Sequence, residues 1–274
     1  MVSESRLPVL LFLVAACGGD SSTDMPDRAQ PTSRRSPVGG NGGSSVNARA
    51  GKSVRKPWRP ALGTATIKGV VKFDGTPPDR HRLNMDRDAY CKEHSGGALD
   101  SSVIVNANGT LRNAVVWIQK GLDGWEFPVP EEPAVIDQKG CMYVPHVLGI
   151  RTGQPLKIRN SDSLMHNIRA VPRRNRLFNF SLSAAGKEMT KRFKKREIAV
   201  RLKCDIHDWM GAWVAVVDHP YFQVTGDEGA FELDHVPPGE YTITAWHEVY
   251  GKTSMPVTVT GHATETIEFV FSPE

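Results

Sequence analysis

From Ala65 to Phe73 apolar and polar residues alternate along Ala-Thr-Ile-Lys-Gly-Val-Val-Lys-Phe, the two-residue period of a half-buried strand. Asp74-Gly75-Thr-Pro-Pro78 then marks a turn. Further short apolar runs predict strands at Ser102–Val105, Leu111–Ile118, Ala134–Ile136, Val147–Arg151, Leu156–Arg159, Asn167–Val171, Met189–Phe193, Ile198–Leu202 and Gly211–Val217. No long helical period interrupts them, and only Arg87-Asp88-Ala89 reads as a brief helical turn. Short strands separated by turn signals predict an all-β chain. Their count and order over 132–218 suit a Greek-key sandwich.

The N-terminus has a different pattern. After Arg6 comes an apolar run, Leu7 to Ala16, too short to span a bilayer, which reads as an export signal over 1–16. Val14-Ala15-Ala16-Cys17 resembles a bacterial lipoprotein signal, which implies that Cys17 is acylated and becomes the mature N-terminus; the alternative is an ordinary signal-peptidase site. Two acyl chains on one residue give a stable anchor. Gly18 after the cysteine favours the outer membrane, so the expected location is the periplasm or cell surface. From residue 17 to 63 Ser, Gly, Pro, Asn and Arg dominate. Such a segment buries too little surface to offset its ordering entropy and reads as a flexible tether.

Composition adds only bounds. At 274 residues, 39% apolar and 23% charged, the chain has room for one or two packed cores. The net charge of +4 is mild, and no nucleic-acid-binding motif accompanies it.

The chemistry concentrates in Lys203-Cys-Asp-Ile-His-Asp-Trp-Met210, where Cys204, His207 and Met210 offer a thiolate, an imidazole and a thioether. Well upstream, His166 follows a polar turn in Asn160-Ser-Asp-Ser-Leu-Met-His-Asn-Ile168 and supplies a second imidazole. Two His and one Cys with a weak axial Met are the ligand set of a blue-copper electron-transfer site. Zinc is the competing metal, although its sites rarely recruit Met and the Cys pairs of structural zinc are missing. The plainer alternative is a buried thiol beside a surface imidazole, with Met210, Trp209 and Trp213 as core.

Residues 132–218 resemble a cupredoxin. Asn160-Ser-Asp followed by Met165-His166-Asn167 is similar to the first-histidine segment of that family, and Cys204-x2-His207-x2-Met210 to the amicyanin ligand loop. The resemblance implies one type 1 copper held by His166, Cys204, His207 and Met210. It also implies that His207 is the more exposed imidazole and the exit for the electron, through apolar surface around Trp209, and that Asn167 holds the ligand loop by hydrogen bonding. Tyr143-Val-Pro145 and Gly153-Gln154 resemble an edge strand and tight turn of the family, with Gln154 where an acidic residue is common.

The flanking stretches resemble a second family. Gln223 to Trp246, with the turn Asp227–Gly229 and the corner Pro237-Pro238-Gly239-Glu-Tyr241, is similar to the carboxypeptidase regulatory-like (transthyretin-like) sandwich. Lys68–Gly75 and Asn113–Val116 look like the opening strands of that family. A nested order follows, in which 64–131 and 219–274 form one sandwich and the copper domain sits between its strands; the alternative is three units in a row. With Cys17 assigned to lipid and Cys204 to copper, Cys91 and Cys141 are left to pair in an oxidising compartment, or to stand as separate buried thiols.

His146 is expected to be a hydrogen-bonded structural residue, and His219, His235 and His247 to be solvated. Lys187-Glu-Met-Thr-Lys-Arg-Phe-Lys-Lys-Arg196 reads either as a solvated face or as a basic ribbon that steers an acidic redox partner. No Ser-His-acid or paired-carboxylate arrangement argues for hydrolysis, and a single mononuclear site argues against a copper oxidase. The expected function is therefore a membrane-tethered, extracytoplasmic carrier of single electrons, not an enzyme. A copper carrier or storage protein, or a polysaccharide-binding sandwich, are the alternatives.

Overall fold

A computed structural model describes residues 55–183 and 185–273. The export signal, Cys17 and the tether up to residue 54 lie outside the described residues.

The chain is almost entirely β. It opens with β1 (Lys56–Pro57), a 3-10 turn at Pro60–Leu62, β2 (Ala65–Phe73), a short α-helix α1 (Ala89–His94), β3 (Val115–Lys120) and β4 (Trp125–Glu126). A middle run follows: β5 (Ala134–Lys139), β6 (Met142–Val144), β7 (Val147–Arg151), β8 (Leu156–Asn160), β9 (His166–Val171), β10 (Phe178–Leu182), β11 (Lys187–Lys191), β12 (Glu197–Lys203) and β13 (Gly211–Val217). The chain closes with β14 (Phe222–Val224), β15 (Ala230–Val236), β16 (Gly239–His247), β17 (Gly251–Val259) and β18 (Thr264–Phe271).

The middle strands form an inner sandwich of two sheets, ordered β10-β9-β12-β13-β7 and β11-β8-β5-β6. The outer strands make a second sandwich, ordered β14-β3-β16-β17 and β15-β2-β18, so strands from both ends of the chain share its sheets. In β2, Ala65, Ile67, Val71 and Phe73 face the outer core together with Phe231, Leu233 and Phe269, the alternation that a one-sided sheet requires. The run Gly-Ala-Trp-Val-Ala-Val-Val of β13 lacks that alternation because both its faces are covered. Ala212, Val214 and Val216 enter the inner core, while Trp213, Ala215 and Val217 pack with Val115, Trp117, Phe222 and Trp246 between the two sandwiches.

Several expectations need correction. Ser102–Val105 forms no strand and contributes one bridge, Val105 to Leu111. The strand expected from Leu111 starts at Val115, because Asn113 takes a positive φ and hands the preceding residues to a turn. β10 was missed, since Phe178-Asn-Phe-Ser-Leu182 pairs along β9 at a sheet edge with much of its surface half-exposed. The tether ends before Gly63: β1 pairs with β4, and Trp58 packs on the outer core against Phe127 and Tyr221. An apolar ring that finds a site orders the polar residues around it.

Two histidines expected in solvent are buried. His219 donates from Nε2 to Ile118 O, 2.7 Å away, and His247 is fully covered. Their flanking strands carry them inward at the closing ends of the outer sandwich. His235 is exposed. Among the described residues no helix is long and apolar enough to cross a membrane.

Candidate metal centre

The inner sandwich gathers the candidate ligands at one pole. His166 opens β9, Cys204 follows directly on β12, and Met210 directly precedes β13. The β12–β13 pairing, with Lys203 opposite Gly211, forces residues 204–210 to close as a compact loop. Cys204 N donates to Met210 O at 3.2 Å and Met210 N to His207 O at 3.1 Å. His207 N points at Cys204 Sγ from 3.3 Å.

Within this loop the donor atoms converge. His166 Nδ1 and His207 Nδ1 are 3.1 Å apart, and Cys204 Sγ lies 3.8 Å from His207 Nδ1. His166, Cys204 and His207 form one ligand cluster and all three are buried. Met210 is buried with Cys204 in the same core. These separations suit one ion with bonds of about 2.0–2.1 Å to nitrogen and about 2.3 Å to sulfur.

A carboxylate stands behind each imidazole, hydrogen-bonded at His166 and farther off at His207. His166 Nε2 donates to Asp162 Oδ2 at 2.8 Å, and Asp162 also accepts from the backbone N–H groups of Gly140 at 2.7 Å and Cys141 at 2.8 Å. His207 Nε2 lies 3.5 Å from Asp88 Oδ2. A carboxylate on the far nitrogen fixes the tautomer and turns the other lone pair toward a metal. Two Nδ1 lone pairs aimed at one point repel unless a cation stands between them, so the chemistry of the donor set fits a metal. Burial holds the His166 imidazole below its ordinary pKa, with Asp162 opposing.

Asn167 ties the strand to the loop: its Oδ1 accepts from Asp205 N at 3.1 Å, and its Nδ2 donates to Asn179 Oδ1 at 2.7 Å. Tyr143 OH donates to Asn167 O from beneath.

His207 is the more exposed imidazole by a narrow margin only, 3% against 0% for His166, so both rings are buried. The segment between β2 and β3 folds over His207. Asp88 caps α1 by accepting from Cys91 N at 2.9 Å while facing His207. The Cys91–Cys141 disulfide pins this cap to the turn between β5 and β6. Met85, Tyr90, Met142, Leu164 and Trp209 pack around the bridge, and Trp209 Nε1 donates to Cys141 O at 3.1 Å. Trp209 is thus half-buried against the cap, while Ile206 beside it stays exposed.

Asp162 and Asp88 are the site residues that sequence reasoning missed. Asp162 had a local signal, four residues before His166. Asp88 had none, because only the fold brings it from the outer sandwich's connection to the inner loop. His146 stays outside the site, with Nε2 on Glu248.

No protein-family model matches the chain, and no curated protein does. Among solved structures it is similar to a copper-containing nitrite reductase from Thermus scotoductus SA-01, at 20% identity over 32% of this chain with a TM-score of 0.30. The chain spans 23% of that enzyme's length. A purple cupredoxin from Nitrosopumilus maritimus aligns at 24% identity over 30% of this chain and 98% of its own, with a TM-score of 0.27. An amicyanin variant in its Cu(I) form aligns at 18% identity over 32% of this chain and 85% of its own, with a TM-score of 0.26. Structural neighbours of the chain are thus cupredoxins, over about a third of its length.

Proposed function

We propose that the inner sandwich holds one copper ion of the blue type and carries single electrons. The observation behind this reading is the meeting of His166 Nδ1, His207 Nδ1 and Cys204 Sγ beside buried Met210. Bound there, copper supplies a one-electron couple, and the soft thiolate and thioether favour it over magnesium or calcium. The protein's part is to hold the donors still. Asp162 and Asp88 orient the two rings, Asn167 anchors the loop, and the cap excludes water. In this reading a single mononuclear copper would serve to transfer electrons. Export and an acylated Cys17 would tether the carrier to the outside of a bacterial membrane, the outer membrane being favoured.

Adding Cu(II) to the purified chain is expected to give an intense visible band and a narrow paramagnetic-resonance hyperfine splitting. Cys204→Ala should abolish the band; its survival would rule out this thiolate. Mass spectrometry of the membrane fraction tests Cys17.

A further inference from the structure

If His207 lies under the cap, a partner needs another approach. An open cleft of about 750 Å³ runs between the two sandwiches, within the size range of about 300–1,000 Å³ typical of ligand sites. Three indoles line it: Trp117, Trp213 and Trp246. Trp117 is 4% exposed, and its N–H has no hydrogen-bond partner. Five cations also line it: half-buried Arg196, which pairs with Asp218 at 3.7 Å, and four exposed ones, Lys120, Arg173, Arg174 and Lys252. Among the described residues none of the four has a carboxylate within ion-pair distance.

The cleft's own carboxylates are already engaged. Glu197 accepts from the backbone N–H groups of Arg174 and Asn175, and Glu248 accepts from Trp213 Nε1 at 2.7 Å while facing His146 and Arg201. Five cations against two carboxylates leave the lining with net positive charge.

The cleft also reaches the ligand strands. Arg201 and Trp213 are paired residues on β12 and β13, with the guanidinium 4.7 Å from the indole centroid. Each stands three residues from a candidate ligand, Cys204 and Met210 respectively, about 10 Å along an extended strand. The β12 wall carries a bulge between Glu197 and Val200, where Ala199 has φ +66°. Bulges of this kind re-aim side chains beside functional sites, and a left-handed alanine is a strained position.

We propose that this cleft is the docking site for the acidic face of a redox partner protein, with Trp213 as its nearest contact to the ligand strands. Charge complementarity picks the occupant, since the cations lining the cleft outnumber its two carboxylates. With copper held by His166, Cys204, His207 and Met210, one electron would pass between it and the partner's redox centre, one being oxidised as the other is reduced, with no bond formed or broken. The partner's role rests on the copper reading, whereas the binding does not.

Two measurements separate them. Calorimetric titration of the copper-free chain with hexacyanocobaltate(III), an inert trianion, should show saturable binding that weakens at least tenfold in Arg173→Glu/Arg174→Glu. Both arginines are exposed, so thermal melts should match the parent. Stopped-flow oxidation of the reduced copper form by hexacyanoferrate(III) should slow at least tenfold in the same variant, with a shallower salt dependence and an unchanged visible spectrum. Unchanged binding would overturn the cleft. A rate that falls with Ile206→Glu, exposed beside His207, and not with the arginine variant would place docking at the metal pole. Saturable binding of oligogalacturonate that leaves the oxidation rate unaltered would make the cleft a glycan site instead. A chain that binds the trianion but never turns blue would remove the copper reading and leave the anion site standing.

Discussion

Asp162 Oδ2 accepts the Nε2–H of His166 at 2.8 Å in a place where both residues are buried. Four residues separate them, yet no helix is involved. Asn160 Oδ1 accepts from Asp162 N at 3.0 Å, so the polar turn after β8 folds back and aims the carboxylate at the ring that opens β9. The same carboxylate takes the N–H groups of Gly140 and Cys141, so one side chain fixes a ligand and the turn to which the cap is bridged.

Asp162→Asn should therefore damage metal binding more than folding. An amide that accepts from the backbone turns its N–H₂ toward the His166 N–H and cancels the orienting bond. Loss of such a partner lowers metal affinity by roughly 10–100-fold. Competition with a chelator of known affinity measures it; an affinity within twofold of the parent would show that Asp162 does not position the ring.

The cap makes a second prediction. The disulfide joins residues separated by 50 in sequence, and closing a loop of that size in the unfolded chain stabilises by about 4 kcal/mol. Cys91→Ser/Cys141→Ser should lower the denaturation midpoint accordingly and loosen the cover on His207. Copper loss to an external chelator should then speed up at least tenfold. If the parent itself surrenders copper at that faster rate, the protein is a metal carrier rather than a retained redox centre.

The candidate loop was legible because its chemistry is local: Cys204, His207 and Met210 stand out by residue type and spacing, and the strands bracketing them by period. The Cys91–Cys141 staple followed from counting. What the sequence hid was the cap's position. Asp88, Tyr90 and Met85 sit in a polar stretch with no periodic pattern, and their contact with His207 and Trp209 depends on how one sandwich is docked on the other. The burial of His219 and His247 was hidden for another reason: each stands at a strand end beside a charged neighbour, Asp218 and Glu248, that suggests solvent.

Docking of the sandwiches gives a third prediction. Gly149, on β7, faces β14, and a Cβ there would lie 2.5 Å from the Phe222 ring. That ring is packed between the sandwiches and has little freedom to move. Gly149→Ala should cost about 1–3 kcal/mol by overpacking. Denaturant midpoints check it, and Gly149→Ala combined with Phe222→Leu should recover part of the loss. A single variant as stable as the parent would show that the interface yields easily.

Acid should weaken the outer sandwich in a defined window. Burial pushes the pKa of both His219 and His247 down to about 4 from an ordinary value of 6.5. Asp218 opposes the shift at His219 while Arg196 and Arg151 add to it, and at His247 Glu248 opposes while His146 adds. Between pH 6.5 and 4 the unfolded chain therefore binds protons that the folded chain refuses, so stability rises with pH across that interval. The contribution is complete above 6.5, falls as the pH drops toward 4, and changes no further below it; its ceiling is about 3 kcal/mol per histidine. Native carboxylates titrate near the lower end, so the comparison must be with His247→Phe, which keeps a ring in the pocket stacked on Tyr250 and removes the proton site. Urea midpoints at pH 7, 5.5 and 4.5 should converge for parent and variant as the pH falls, or the order should invert in favour of the variant. Parallel lines across the three pH values would mean that His247 takes its proton without opening the sandwich.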